Sequence, residues 1–358
     1  MPRPRLERRL QPSRLAQATA PLAAMAATLL LAALLVAWAG APVGRSYALL
    51  LEGGFGSRFA WGETLTRATP LILTGLAAAV AFRARLYNIG AEGQLYLGAL
   101  AAVAIAGWAG QALPATLAFA AMLAAGMGAG AAWLLGPALM KRLLGVDEVV
   151  TTLLLNFVAL LFVSMMLDGP MKDPLAMGWP QSPALPDALQ LGKLIERSRV
   201  HTGLLWALGA AAVLAGVLQR HAWGLAVRAV GANARAAQFA GLPVTATVVG
   251  VALVSGGLAG LAGALEVAGR TSYLTLDMAP GVGYGGIVIA MLAGLHPLAV
   301  VPAAVFVSGV LVGADSMSRA VGVPTYIADV IVAVALLTTL VAGLAAHYRL
   351  RWSPGAAA

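Results

Sequence analysis

The residues able to do chemistry in this chain are few, and they sit beside glycines at the edges of apolar runs. The clearest group is Asn88, Glu92 and Gln94 in the stretch NIGAEGQ, with Gly90 and Gly93 among them. A carboxylate and two amides could contact a polar solute or gate its passage. Glycines there permit close backbone approach or a broken helix, the device by which transporters expose polar backbone at a binding site. An ionised side chain deep in a bilayer costs about 3 kcal/mol on insertion scales, so Glu92 must face protein or water rather than lipid. The competing reading puts Glu92 at an interface near Arg83 and Arg85, as a solvated charge or a local ion pair. A second polar stretch, VDEVVTTLLLN, carries Asp147 and Glu148 just beyond Lys141 and Arg142, where a surface ion cluster is expected. Asn156, two turns further along, suits a polar contact inside a helix bundle, with either a solute or a neighbouring helix.

Catalytic spacings are missing. The four histidines, His201, His221, His296 and His347, lie far apart and have no metal-ligand spacing. With no cysteine in the chain, neither a disulfide framework nor a thiolate metal site is possible. GVGYGG formally matches G-x-G-x-x-G, but a dinucleotide site needs a strand before it and a helix after it in a soluble βαβ unit. The P-loop pattern is missing, and so are the Ser-His-Asp and H-E-x-x-H arrangements. No residue is assigned as catalytic or as a metal ligand, and no cofactor is expected on this chain.

The elements that carry these residues follow from composition. Of 358 residues, 60% are hydrophobic and only 10% charged, whereas a soluble chain carries roughly 25% charged residues. Apolar runs of about 20 residues, enough for a hydrocarbon layer of about 30 Å, recur from Pro21 onward. The expected fold is all-α, a polytopic transmembrane bundle in the lipid bilayer; a β-barrel would need alternating segments, which these runs lack. The net charge of +9 is better explained by basic cytoplasmic loops than by nucleic-acid binding.

Residues 1–20 form a basic segment with Arg3, Arg5, Arg8, Arg9 and Arg14 against Glu7. The apolar run 21–41 after it is longer than the 7–15 or so residues of a signal-peptide core and reads as a retained first span. The balanced stretch 42–63 then lies outside. Further spans are expected near 64–82, 86–108, 114–140, 149–167, 203–219 and 246–267, with two shorter pieces at 285–295 and 298–314 and a last span at 326–346. The neutral, proline-rich stretch 168–202 reads as an outer loop, and the tail 347–358 as cytoplasmic. About ten spans with both termini inside satisfy the basic clusters, although the piece at 285–295 is short enough to be re-entrant. In SGGLAGLAGALE, Gly256, Gly260 and Gly263 read as small residues that let helices pack closely, with Glu266 solvated near the outer end.

Residues 220–245, RHAWGLAVRAVGANARAAQFAGLPVT, form an island with Arg220, Arg228 and Arg235 and no acid. Asn233 is a helix N-cap, Gly241 suits the position past a helix end, and Pro243 is a stop signal. The helix so delimited, 234–240, is too short to be stable alone and must dock on something.

With NIGAEGQLYLGA, this island and SGGLAGLAGAL, the chain resembles the permease subunits of bacterial ABC importers, in the branch for branched-chain amino acids, ribose-type sugars and nucleosides. DEVVTTLLLN, EVAGR and GYGGIVIAMLAG make it most similar to the longer permease of a nucleoside system. The resemblance runs from about Thr64 to the end. It implies an inner-membrane protein that forms half of a translocation pathway, paired with a second, homologous permease. It also implies an ATP-binding cassette ATPase subunit, which carries ATP and Mg²⁺, and an extracytoplasmic solute-binding protein. The island then corresponds to the segment that seats on the ATPase, where Gly224, Arg228, Gly231, Asn233, Ala236, Ala237 and Gly241 match the family pattern and Arg235 adds charge. Asn88, Glu92, Gln94 and Asn156 are the substrate-pathway candidates. A sugar or branched-chain amino acid permease is the alternative within this class, and an ion-coupled secondary transporter the alternative outside it.

Overall fold

The structure, a computed structural model, describes residues 3–8 and 14–322, scattered positions between 326 and 341, and residues 348–353. Two compact units emerge, one of residues 1–56 with 310–358 and the other of residues 57–309. In chain order the elements are β1 (Arg3–Arg8), α1 (Arg14–Trp38), α2 (Val43–Phe55), α3 (Arg58–Arg83), α4 (Ala91–Ala112), α5 (Ala115–Leu144), α6 (Glu148–Asp168), α7 (Gly203–Arg220), α8 (Ala222–Ala232), α9 (Ala234–Phe239), α10 (Val244–Glu266), α11 (Val282–Leu292), α12 (Pro297–Val321) and β2 (Tyr348–Ser353).

Helix dominates, as the apolar runs require. Among the described residues seven helices are long and apolar enough to cross a membrane, or eight if the bent pair Ala26–Trp38 and Val43–Phe55 makes one span. This is a helical, multi-pass membrane protein. The last expected span, 326–346, lies largely outside the described residues. Two local readings change. The stretch expected outside at 42–63 contains α2, bent by 115° from the helix before it. The short piece expected at 298–314 is a full-length helix that continues to Val321.

In the first unit, β1 and β2 pair antiparallel, with Glu7 opposite Arg349 and Arg5 opposite Arg351. Ala32, Val36, Leu50, Val310, Met317, Ile327 and Ile331 form a buried apolar cluster there, and Gly313 lets its helix lie against the backbone of Leu50.

The second unit is built around α10. Gly256 abuts the backbone of α5 at Gly130 and Ala131, Gly260 abuts Gly126 and Gly130, and Gly263 abuts the carbonyl of Leu95 in α4. A Cβ on Gly256 would lie 2.9 Å from the Cα of Ala131, so only glycine permits this spacing. α3 is buried over most of its length, capped at its start by Ser57, whose hydroxyl accepts from the Ala60 amide at 3.0 Å. Local chemistry ends the helices where expected. Gly145 closes α5 in the left-handed region at φ 68°, and the carboxylate of Asp147 caps α6 by accepting from the Val149 amide at 2.8 Å.

Candidate functional site

The polar residues singled out in NIGAEGQ converge in the second unit, and each finds a partner within the chain. Asn88 and Gln94 exchange side-chain amide hydrogen bonds in both directions, each 2.9 Å long. Asn88 also donates to the Ser255 hydroxyl at 3.0 Å, and Ser255 in turn donates to the Ala77 carbonyl at 2.7 Å. One amide pair thereby ties the non-helical turn before α4 to α10 and α3. Asn156 of α6 performs the matching task from the other side. Its carbonyl oxygen accepts from the Gly93 amide at 2.9 Å, and its NH₂ donates to the Ile89 carbonyl at 2.9 Å and the Tyr284 hydroxyl at 3.0 Å. Backbone that leaves its helix inside an apolar bundle must have its amides and carbonyls satisfied, and these side chains do that.

Glu92 is buried, with 3% of its surface exposed. It accepts from the backbone amides of Gly281 at 2.7 Å and Gly283 at 2.6 Å. Its carboxyl group therefore sits on the unpaired amides at the start of α11, the positive end of that helix's dipole. This arrangement explains the glycines of GVGYGG. Gly281 adopts φ 76°, a Cβ on Gly283 would strike the backbone of Glu92, and one on Gly286 would come within 2.6 Å of Thr74. Neither alternative offered for Glu92, a solvated charge or an ion pair with Arg83 or Arg85, matches this geometry.

Glu148 also differs from a plain surface ion. Its side chain is 8% exposed and bonds Lys141 at 2.5 Å, while accepting from the Tyr87 amide at 3.2 Å. Glu266, expected to be solvated, is buried and paired with Arg270, which also donates to the Met278 carbonyl. The stretch 168–202 folds back onto the segment just after α10. The Leu191 amide donates to the Ala268 carbonyl at 2.8 Å and the Leu185 amide to the Ser272 carbonyl at 2.7 Å. In the same stretch the buried ring of His201 lies between Gly203 and Gly269, and a Cβ on Gly203 would sit 2.6 Å from it. Burial, and then the nearby charge of Arg270, push its pKa down to about 4.

The basic segment 220–245 folds as α8, a break at Asn233, and α9. The Asn233 carbonyl oxygen accepts from the Ala236 amide at 3.1 Å, and Gly241 at φ 78° ends the turn. α9 closes at Phe239, one residue earlier than expected. Gly224 and Gly231 face inward, where Cβ atoms would strike the carbonyls of Leu218 and Arg83 respectively. Arg228 donates to the Leu218 carbonyl and so caps the end of α7. Ala237 is buried, whereas Arg235, Ala236 and Gly241 are exposed. The feature that pattern reading passed over is Phe239, whose side chain is 95% exposed at the end of α9. A large apolar residue beside a polar turn was its only signal. Ser255 and Tyr284 were likewise missed as partners, because their contacts span long sequence separations.

Fold and site together define a multi-pass membrane protein whose buried polar residues hold helix breaks in place, with one short basic helix pair turned to its surface. The chain belongs to the permease family described as branched-chain amino acid transport system / permease component, whose profile matches residues 60–340. It is a transport subunit and not an enzyme. The guanosine ABC transporter permease protein NupP of Bacillus subtilis is 35% identical over 346 residues, which covers 96% of this chain and 97% of NupP. The glucose ABC transporter permease protein TsgB13 of Haloferax volcanii is 36% identical over 352 residues, covering 96% and 92%. NupQ, a second guanosine ABC transporter permease protein of B. subtilis, is 30% identical over 250 residues, covering 68% and 77%. No solved structure matches the chain.

Proposed function

We propose that this chain forms half of the translocation pathway of an ABC importer for nucleosides in a bacterial cytoplasmic membrane. Similarity to a guanosine permease over nearly the whole of both chains carries this reading. The other half of the pathway is a second, homologous permease, as the coexistence of NupP and NupQ in one organism suggests. Segment 220–245 seats on a separate ATPase subunit, which binds ATP and Mg²⁺, with Phe239 and Arg235 on the exposed side and Gly224 and Gly231 on the packed side. An extracytoplasmic binding protein delivers the solute to the face that carries the stretch 168–202. Asn88, Glu92, Gln94 and Asn156 set the geometry of α11 and the turn before α4, the two helix breaks beside the pathway.

About ten spans fit this role: the eight counted with the bent pair, α11 as a short segment, and 326–346. Pairing of β1 with β2 supports placing both termini on one side, and the arginines of both strands favour the cytoplasm. Competition of labelled guanosine uptake in cells that express the whole system tests the solute. Unlabelled nucleosides should compete, while glucose and leucine should not. Competition by glucose alone would favour the sugar reading that the TsgB13 similarity keeps open.

A further inference from the structure

The end of α3 holds a residue that touches two functional elements at once. Gly231 of α8 packs so tightly that a Cβ there would strike the carbonyl oxygen of Arg83 and lie 3.3 Å from the Cα of Ala84. The side chain of the same Arg83 reaches a different element, its Nε–H donating to the Leu295 carbonyl at 2.9 Å. Leu295 sits in the tight turn between α11 and α12, where it and Gly294 adopt φ of 60° and 55°. Its amide closes back onto the Ala290 carbonyl at 2.8 Å. Gln219, at the end of α7, reaches the same turn through the His296 imidazole at 3.1 Å.

α11 is therefore clamped at both ends. Glu92 holds its first amides, and Arg83 holds the carbonyl just past its last turn. The contact of α8 with Arg83 is backbone on backbone, with no flexible side chain between to absorb a displacement. Packed contacts of this kind transmit movement because they do not deform continuously.

We propose that Arg83 is a positioning residue that carries displacement of segment 220–245 into α11, so that this short helix moves with the ATPase docking site. The inference rests on the reading of that segment as the ATPase seat. Its test is arranged to separate the two.

The whole transporter is reconstituted in liposomes with Val288→Cys on α11 as a reporter, since this chain has no native cysteine. Thiol labelling of this chain is read by mass spectrometry, without nucleotide and after vanadate trapping. The labelling rate should change several-fold between the two states. With Arg83→Ala added, that change should vanish and uptake should fall by about tenfold or more, the scale of one lost charged hydrogen bond, while the ATPase still co-purifies and hydrolyses ATP. Arg83→Lys, which keeps a cation and a donor, should recover part of both. If Arg83→Ala fails to assemble, Arg83→Gln fills similar volume without the charge and is judged by the same criteria. Nucleotide-dependent labelling that persists in an assembled Arg83 variant overturns the inference and leaves the docking reading intact. Failure of the ATPase to co-purify with the unaltered chain overturns the docking reading itself.

Discussion

Replacing Glu92 with alanine would remove the acceptor from two backbone amides at the start of α11. A buried donor left without a partner costs about 1–3 kcal/mol. The Gly283 amide is buried and that of Gly281 partly so, and water can reach the second in part. The loss should therefore be about 2–4 kcal/mol. Glu92→Gln keeps one acceptor oxygen but turns an NH₂ toward the other amide, so it should lose about 1–2 kcal/mol. The assay is reversible unfolding in mixed micelles against rising SDS, followed by tryptophan fluorescence, with the variants compared at equal lipid-to-detergent ratio. Glu92→Ala should also expose the α11 region to proteolysis before the rest of the chain. If Glu92→Ala unfolds within about 0.5 kcal/mol of the unaltered protein, the range of an ordinary surface substitution, the carboxylate does not hold α11 and the argument fails.

Three further outcomes are expected. Gly263→Ala would press a methyl group onto the Leu95 carbonyl; overpacking of this kind costs about 1–3 kcal/mol, readable in the same unfolding assay, and Gly209→Ala, where nothing lies within 4 Å, should cost far less. His201 is held neutral by its buried setting, with a pKa of about 4 against an ordinary 6.5. The stability this confers is present in full above pH 6.5 and declines as the pH falls toward 4, by about 3 kcal/mol in all. Unfolding measured across that range should show this slope, and His201→Phe should flatten it. Phe239→Asp should leave unfolding unchanged, because the ring is exposed, yet weaken association with the ATPase subunit in pull-down; unchanged association would remove Phe239 from the docking surface.

Much of the helix layout was legible in the sequence, because apolar runs end where charge begins. Arg83 closes α3, Lys141 and Arg142 fall in the last turn of α5, and Asp147 caps α6. Asn233 and Gly241 bracket α9 through local backbone chemistry that any window of a few residues contains. What could not be read was the partner of each polar side chain. Glu92 meets amides far along the chain, and Asn88 meets Ser255 across a similar separation. The same limit explains the error at Glu266. Local hydropathy places it at the end of a span, while its partner Arg270 lies in the π-turn Val267–Thr271, against which 168–202 folds back. The α1–α2 bend was also invisible, since Arg45 and Arg58 balanced by Glu52 and Glu63 make 42–63 read as an outer loop after a span.

The central claim is that segment 220–245 joins this permease to an ATPase within a two-permease importer. Its most direct test is to tag the chain, extract it from its native membrane in mild detergent, and identify its stoichiometric companions by mass spectrometry. The account predicts an ATP-binding subunit and a second permease, with the ATPase lost from the Phe239→Asp form. A folded chain that emerges alone and supports uptake driven by an ion gradient, without ATP, would contradict it.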